Sequence, residues 1–270
     1  HISKLKENNM SQRDKLLKVG IEASNKASNI ILSYYKKYSN YSVKNKYFRD
    51  LVSEGDIIAE KEIKKIILKN FPSHKFEGEE TGSTKNKSAY KWIVDPIDGT
   101  VNYIHGIPLF AISIGLEIKG EIYLGIINNP VTNEIYYALN KQGAFLNGRK
   151  INVSKRGEIK NSLLITTFSS ETNRKRKNKY KIFGKMNDLS RGCLRIGSAS
   201  LGLAYLASGK VDGLWGGKLK KWDIAAGICI LKEAGGKISN IKNKRYSFGQ
   251  QFVASNNIIH KNLISLLKGL

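Results

Sequence analysis

The sequence predicts a mixed α and β protein in which an α+β half is followed by an α/β half. Three observations predict it: helical periodicity comes first, a β-rich middle third follows, and strands alternate with helices after about residue 155. We place the boundary so that the predicted halves are 1–154 and 155–270. With 270 residues, 41% of them hydrophobic, the chain can bury the core of one large domain or of two fused halves.

The first two predicted elements are helices. Ser11 is a suitable N-cap for the first, and the second is predicted to follow Asp56. Small and apolar residues recur every three or four positions in both, which is typical of amphipathic helices. The residues expected to face inward are Leu16, Leu17, Gly20, Ala23, Ala27, Ile30, Ile31 and Tyr34 in the first helix, and Ile57, Ile58, Ile63, Ile66 and Ile67 in the second.

The middle third predicts strands joined by short turns. Tyr90 to Val94 is an apolar, β-prone run, and Asn147-Gly148 is a strong signal for a two-residue hairpin turn. Further apolar or alternating runs lie between them, at 109–118, 121–127 and 135–139. We therefore expect an antiparallel meander.

Beyond residue 155 the pattern predicts strands and helices in alternation. One predicted helix begins at Asp223 and ends at the Gly235-Gly236 pair. If Asp223 were only the N-cap of this helix, it would contribute about 1 kcal/mol of helix stability. The predicted strands lie at 162–167, 194–196 and 212–215 and near Lys237 and Phe252, and the helices lie at 179–189 and 198–207 and start at Asp223 and Ile258.

Three carboxylates close together in the sequence are its strongest functional signal. Asp95 and Asp98 lie in the run IVDPIDGT, and Glu79 lies in the GEE run before it. Three neighbouring acids do not all stay ionised at neutral pH unless a cation lies among them. We therefore expect a divalent metal ion at this point of the chain.

The turn after Asp95 is suited to a phosphate group beside that metal. Pro96 has a fixed φ and biases Asp95 toward extended backbone, so the strand is expected to end in a rigid turn. Asp98 can then face the same point. Gly99 and Thr100 expose backbone N–H groups at a predicted helix start, which is typical of anion sites.

Longer segments around these acids resemble the signatures of the inositol monophosphatase family. These are WIVDPIDGTVNY (Trp92 to Tyr103) and KWDIAAGICILKEAGG (Lys221 to Gly236), preceded in the usual order by DLVSEGDIIAE and FPSHKFEGEET. The resemblance runs from about residue 12 to the C-terminus. It implies a layered α-β-α-β-α sandwich, as in this family and the fructose bisphosphatases, and a metal-dependent, lithium-sensitive phosphatase that forms a homodimer.

The resemblance also implies which residues bind magnesium. Glu79, Asp95 and the carbonyl of Ile97 would hold one Mg²⁺. Asp95, Asp98 and Asp223 would hold a second, and Glu79 would serve a third, weaker ion. All of these ligands are oxygen atoms, which Mg²⁺ prefers because it is a small, hard cation. Two such ions stabilise the attacking and leaving oxygens of a phosphate ester.

Further roles follow from the same resemblance. Thr100 and Glu79 would position and deprotonate the attacking water, and Asp56 would support Thr100 from behind. The N–H groups of Gly99 and Thr100 would hold the phosphate. No covalent intermediate with the enzyme is needed, because the activated water attacks directly.

The substrate pocket departs from the family pattern at one position. Ser170, Gly197, Ser198 and Ala199 match pocket positions, but Gly216 stands where inositol-specific members have a glutamate that binds ring hydroxyls. Losing such a charge-assisted hydrogen bond costs roughly 1.5–3 kcal/mol of discrimination.

Three nearby lysines make a second anionic group on the substrate an open alternative. They are Lys218, Lys220 and Lys221, and they belong equally well to an ordinary charged surface. The main prediction is hydrolysis of inositol 1-phosphate or a related sugar phosphate. The enzymatic alternatives are a fructose-1,6-bisphosphatase and a nucleotide 3′-phosphatase.

Other chemistries lack their sequence motifs. The histidines His1, His74, His105 and His260 have no metal-ligand spacing and no serine or cysteine nucleophile motif beside them. There is no GxxxxGK[ST] run and no GxGxxG after a strand, which argues against nucleoside triphosphate and dinucleotide sites.

The net charge of +24 raises a non-enzymatic alternative. A basic surface attracts nucleic acid, and the densest basic run is Arg174 to Lys181. Lysine is spread over nearly every segment, however, so we favour a solvated surface. An RNA-associated regulatory role, as in some bacterial relatives, stays open.

The remaining features suit a cytoplasmic protein. No apolar stretch reaches the roughly 18 residues of a membrane span, and the first thirty residues lack a signal-peptide core. Cys193 and Cys229 lie in segments that look buried, so free thiols in a reducing compartment are expected.

Overall fold

The computed structural model describes residues 11–38, 54–167 and 175–268. Helices and sheets alternate in five layers, which confirms the predicted α-β-α-β-α sandwich. An outer helix pair packs on an eight-stranded sheet, a central helix pair lies between the sheets, and a second outer pair covers a five-stranded sheet.

The first sheet and its helices use residues 12–151. Their bounds are α1 (Gln12–Tyr38), α2 (Glu54–Asn70), β1 (Lys75–Gly78), β2 (Gly82–Ser83), β3 (Tyr90–Asp98), α3 (Thr100–Ile104), β4 (Ala111–Ile118), β5 (Glu121–Asn129), β6 (Glu134–Leu139), β7 (Gly143–Leu146) and β8 (Arg149–Ile151). The elements that follow are β9 (Leu163–Thr167), α4 (Lys175–Leu189), β10 (Gly192–Leu194), α5 (Ala199–Ala207), β11 (Gly213–Gly216), α6 (Lys221–Glu233), β12 (Lys237–Asn240), β13 (Phe252–Ser255) and α7 (His260–Lys268).

The first sheet has the strand order β2-β1-β3-β4-β5-β6-β7-β8. From β3 to β8 every pairing is antiparallel, which confirms the predicted meander. Asn147 and Gly148 both have positive φ and join β7 to β8 in the two-residue turn expected there. The sequence patterns missed β1 and β2, because strands of four and two residues carry little periodicity. β1 runs parallel to β3, so their carboxyl ends lie at the same edge.

The second sheet is mixed, with the order β10-β9-β11-β13-β12. β9 is parallel to β10 and β11, whereas β13 is antiparallel to β11 and β12. The predicted strand and helix alternation is confirmed, although β10 ends at Leu194, where its prediction began. Within the described ranges, no helix is long and apolar enough to cross a bilayer.

The central helices bring the two sheets together. In α6, Ala225 and Ala226 lie against Gly115 of β4 and Gly125 of β5, where a Cβ on Gly125 would lie 2.2 Å from the Ala226 carbonyl oxygen. Only glycine allows this approach. The helix therefore lies directly on the first sheet, and its N-terminus reaches the edge where β1 and β3 end.

Several predicted helix starts are wrong by a few residues: α4 begins at Lys175 and α7 at His260, and the two starts nearest the candidate site also differ. Asp223 is not the N-cap of α6: Lys220 holds that position, and Asp223 lies in the first turn, where its side chain accepts the Lys220 N–H. The second helix does not follow Asp56, which lies within its first turn. Ile57 and Ile58 were expected inside but are each 36% exposed.

Other expectations agree with the structure. The Ser11 side chain accepts the Asp14 N–H and so caps α1. Cys193 and Cys229 are both buried free thiols, and burial raises each pKa to about 12, which makes them unreactive.

Candidate active site

Four acidic side chains from distant parts of the chain come together at the edge of the first sheet. Glu79 follows β1, Asp95 and Asp98 lie at the end of β3, and Asp223 lies in the first turn of α6. The N–H of Glu79 donates to the Val94 carbonyl at 3.2 Å, which places Glu79 beside Asp95. We call these four residues the acidic cluster.

A side chain of the first sheet holds the start of α6 against this edge. Ser113 on β4 lies directly opposite Asp95 on β3. Its hydroxyl donates to the Trp222 carbonyl at 2.9 Å. Because Asp223 is the next residue, this bond brings its carboxylate to the acids of the first sheet.

Backbone N–H groups orient two of the aspartates. Ile97 N–H donates to Asp95 Oδ1 at 2.9 Å, across the Pro96 peptide, and Lys220 N–H donates to Asp223 Oδ2 at 2.9 Å. Each bond uses one carboxylate oxygen and leaves the residue a second one with which to contact a cation. The rigid turn predicted directly after Asp95 is not found there. Instead, the backbone stays extended to Asp98, with an irregular register.

Asp98 is bound more extensively. Its Oδ2 accepts the Ser198 hydroxyl at 2.6 Å, the Ser200 N–H at 2.6 Å and the Ser200 hydroxyl at 2.5 Å. These donors belong to the N-terminus of α5, so a helix of the second half fixes an acid of the first. Sequence reasoning missed Ser200, for which the only signal was its place in the first turn of a predicted helix.

Negative charge dominates the acidic cluster, although the charge of Lys220 lowers the pKa of Asp223. Burial, followed by the charges of neighbouring acids, raises the pKa of Asp95 well above its ordinary value and that of Asp223 to about 8. Burial also raises the pKa of Asp98, although bonds from Ser198 and Ser200 oppose this shift. Four acids with raised pKa values are a place where a cation would bind strongly.

Glu79 differs from the other three in its exposure. Much of its surface is open to solvent, yet burial of the carboxyl group and the charges of Asp98 and Glu60 raise its pKa. The Trp222 indole N–H lies near this carboxylate and lowers its pKa, although the buried nitrogen makes no well-aligned hydrogen bond with a described residue.

The donor set fits a hard divalent cation. It consists of carboxylate oxygens and nearby backbone carbonyls, without a thiolate or an imidazole, which is the ligand chemistry of Mg²⁺. Within the described ranges, no three His, Cys, Asp or Glu side chains already stand in an arrangement that encloses an ion.

Thr100 and Gly99 lie directly after these acids. The Thr100 hydroxyl donates to the Ile97 carbonyl oxygen at 3.0 Å. Gly99 has φ 103°, and a Cβ there would lie 2.9 Å from the Leu109 carbonyl oxygen, so the sharp turn into α3 requires glycine. The predicted helix start is confirmed, although α3 has only five residues.

Two acids of α2 lie behind the acidic cluster. Asp56 is 2% exposed and raises the pKa values of both Asp95 and Glu80. Glu60 was missed: its buried carboxylate accepts the N–H of Glu80 at 2.9 Å and of Thr81 at 2.6 Å, which holds the Glu79 loop in place. Its spacing of four from Asp56 on a helix was the signal that could have found it.

The predicted pocket residues have different surroundings. Ser170 lies outside the described residues. Ser198 caps α5 and binds Asp98, and the Ala199 N–H also lowers the pKa of Asp98. Gly197 has φ 81° and packs against Asn102, whose amide donates to the Ile196 carbonyl.

Gly216 has no room for a side chain. A Cβ there would lie 2.0 Å from Thr167 Oγ1 and 2.7 Å from a ring carbon of Phe252. The departure from the family pattern is therefore more than a lost carboxylate, because β11 packs closely against β9 and β13 at this point.

The three lysines near Gly216 are not equivalent. Lys218 and Lys220 are exposed, whereas the Lys221 ammonium lies 3.0 Å from Glu77 Oε1. One of the three positive charges is therefore already paired.

Two of the predicted non-catalytic histidines have structural roles. His74 stacks between Phe71 and Tyr90, and its Nδ1 accepts the Trp92 indole N–H at 3.0 Å. His260 lies buried between two serine hydroxyls. Both lie outside the acidic cluster.

Comparisons with known proteins give the family. A model of the inositol monophosphatase family matches residues 12–269. An inositol-1-monophosphatase of Rhizobium meliloti is 40% identical over 227 residues, covering 83% of this chain and 85% of that protein. A Nus factor SuhB of Pasteurella multocida is 33% identical over 248 residues, covering 90% of each.

Solved structures agree with these relatives. The crystal structure of the extragenic suppressor protein suhB from Bartonella henselae superposes with a TM-score of 0.88 at 34% identity, covering 94% of this chain and 98% of that one. The chain belongs to the inositol monophosphatase family.

Proposed function

We propose that this protein is a Mg²⁺-dependent phosphomonoesterase that hydrolyses inositol 1-phosphate or a related sugar phosphate. The observation that carries the proposal is the acidic cluster. Its four carboxylates come from both halves of the chain, and burial raises the pKa of each, which favours the binding of a cation among them. Family membership supports the same conclusion.

Two to three Mg²⁺ ions would be held by the acidic cluster. The proposed ligands are Glu79, Asp95, the Ile97 carbonyl, Asp98 and Asp223. Such ions lower the pKa of a bound water and offset the charge of a phosphate.

Residues of the chain itself would then align the substrate. Thr100, anchored to the Ile97 carbonyl, would hold the attacking water, and Glu79 would accept its proton. The N–H groups of Gly99 and Thr100 would bind the phosphate. Asp56 would support this turn from behind, and Ser198 and Ser200 would keep Asp98 in one orientation.

The substrate is the open part of the proposal. Gly216 removes the carboxylate that binds ring hydroxyls in inositol-specific members, and a side chain does not fit there. Lys218 and Lys220 are exposed nearby and would favour a second anionic group, as in fructose 1,6-bisphosphate or a nucleotide 3′-phosphate. The proposed pocket includes Ser170, Gly197, Ser198 and Ala199.

A panel of phosphate esters tests the function. Inositol 1-phosphate, fructose 1,6-bisphosphate and 3′-phosphoadenosine 5′-phosphate are assayed for phosphate release, with Mg²⁺ and with the metal chelated. We expect Mg²⁺-dependent hydrolysis of at least one ester. Preference for inositol 1-phosphate would contradict a specificity for doubly anionic substrates, and no hydrolysis of any ester would contradict the phosphatase proposal.

The relatives named Nus factor SuhB favour a second candidate function. With the net charge of +24, they support a regulatory protein that associates with RNA. Salt-dependent RNA binding without phosphatase activity would favour this candidate over catalysis. On the family resemblance, we also propose that the enzyme is lithium-sensitive, homodimeric and cytoplasmic.

A further inference from the structure

An unbroken row of charges connects α6 to the first sheet beside the acidic cluster. Lys221 Nζ lies 3.0 Å from Glu77 Oε1, Lys91 Nζ lies 3.7 Å from Glu77 Oε2, and Lys91 Nζ lies 2.9 Å from Glu117 Oε1. Lys91 and Glu117 are direct partners across β3 and β4. We call these four residues the charge row.

The inner part of the charge row is less exposed than the surface ion pairs of the described residues. The side chains of Glu77, Lys91 and Glu117 are 15–18% exposed, and that of Lys221 is 42% exposed. In contrast, the side chains of the Lys160–Glu158 pair are 74% and 59% exposed. Solvent and salt screen partly buried pairs less. The charges of the inner charge row therefore attract each other more strongly than those of a surface pair.

The position of the charge row matters more than its strength. Glu77 lies two residues before Glu79, and Lys221 lies two residues before Asp223. The segment ending β1 and the first turn of α6 therefore meet twice, once through opposite charges and once through two carboxylates. The second contact is repulsive, since the charge of Glu79 raises the pKa of Asp223.

We infer that the Lys221–Glu77 ion pair is a positioning device that holds Asp223 against Glu79 and so prepares the acidic cluster for divalent cations. The inference rests on the proposed function, because it concerns the same cluster. Lys221 and Glu77 would act through Asp223 and Glu79, so we describe them as positioning residues.

Positioning and simple electrostatics predict opposite effects of removing the Lys221 charge on cation binding. Removing a positive charge near a cation site should strengthen cation binding. If Lys221 acts by positioning Asp223, its removal should weaken binding instead. The direction of the change therefore separates the two effects.

The experiment measures Mg²⁺ and Mn²⁺ binding by calorimetry without substrate, so that the readout does not depend on turnover. We expect Lys221→Met and Glu77→Gln each to weaken binding by roughly three- to tenfold. The double variant should weaken binding no more than either single variant, because each single substitution already removes the same ion pair. Lys221→Arg keeps the pair and should bind like the parent.

Lys218→Met is the matched control. It removes one exposed lysine of the same loop that makes no ion pair among the described residues, so its binding should be equal or tighter. Thermal unfolding checks that every variant is folded. If Lys221→Met alone does not fold, the double variant decides the question, because its two charge changes offset each other and only a loss of positioning would weaken binding. Binding to Lys221→Met as tight as to the parent would overturn the inference alone. No binding to the parent would overturn the proposed metal site as well.

Discussion

Two buried aspartate sites of this protein differ in what surrounds the charge. Asp212, fully buried, accepts hydrogen bonds from the Ser154 hydroxyl, the Leu163 N–H at 2.8 Å and the Arg156 guanidinium at 3.0 Å. Asp95, 2% exposed, accepts the Ile97 N–H and otherwise faces other acids. Burial of an acid therefore does not mark a functional site by itself, whereas burial among other acids makes Asp95 a candidate.

The largest effect should follow from a change within the acidic cluster. Asp98→Asn should reduce turnover of the best phosphate ester by several orders of magnitude, because it weakens cation binding. The amide keeps an oxygen acceptor for Ser198 and Ser200, so the melting temperature should change little. Steady-state kinetics and thermal unfolding measure the two effects. Near-parental turnover would contradict the assignment of this site.

A change at Asp212, the buried aspartate that is paired with Arg156, should affect stability rather than turnover. Asp212→Ala leaves Leu163 N–H and Ser154 without their acceptor, which should cost roughly 2–4 kcal/mol of unfolding free energy. Denaturant titration measures the loss. Calorimetry of the folded variant should give parental Mg²⁺ binding, and weaker binding would mean that the two sites are not independent.

Metal addition should separate the two sites further. If Mg²⁺ binds only the native state, a hundredfold excess over its dissociation constant adds about 2.7 kcal/mol of stability. The melting temperatures of the parent and of Asp212→Ala should then rise by roughly 5–10 °C. Asp98→Asn should show little change. An equal rise in all three would mean that Mg²⁺ acts elsewhere on the protein.

The smallest effect concerns His260, a buried base. Its ring nitrogens lie 2.8 Å from Ser239 Oγ and 2.9 Å from Ser255 Oγ, and burial followed by the charge of Lys237 lowers its pKa from 6.5 to about 4. The unfolded chain therefore binds more protons than the native state between these values. Stability from neutral His260 is complete above pH 6.5 and is lost as the pH falls toward 4.

The variant His260→Gln isolates this effect, because it cannot titrate. The stability difference between parent and variant, measured by denaturant titration, should shrink as the pH falls through that interval. A difference that stays constant with pH would show that the pKa of His260 is the same in the native and unfolded states.

Much of the fold could be predicted because it is local. The period of α1, the hairpin turn at Asn147-Gly148 and the antiparallel order from β3 to β8 all arise from residues near one another in the chain. The patterns failed where an element is very short, as at β1, and where a helix start depends on its surroundings, as at Asp223.

By itself, the sequence determined the chemistry of the candidate site: the carboxylates of Glu79, Asp95 and Asp98, the turn at Gly99 and the family resemblance. Only the tertiary structure decided how these groups are held. The Lys221–Glu77 pair joins residues 144 positions apart, and Asp98 binds Ser200 102 positions away. Such contacts leave no periodic trace in the sequence, because they depend on how closely whole layers approach, as α6 does at Gly125.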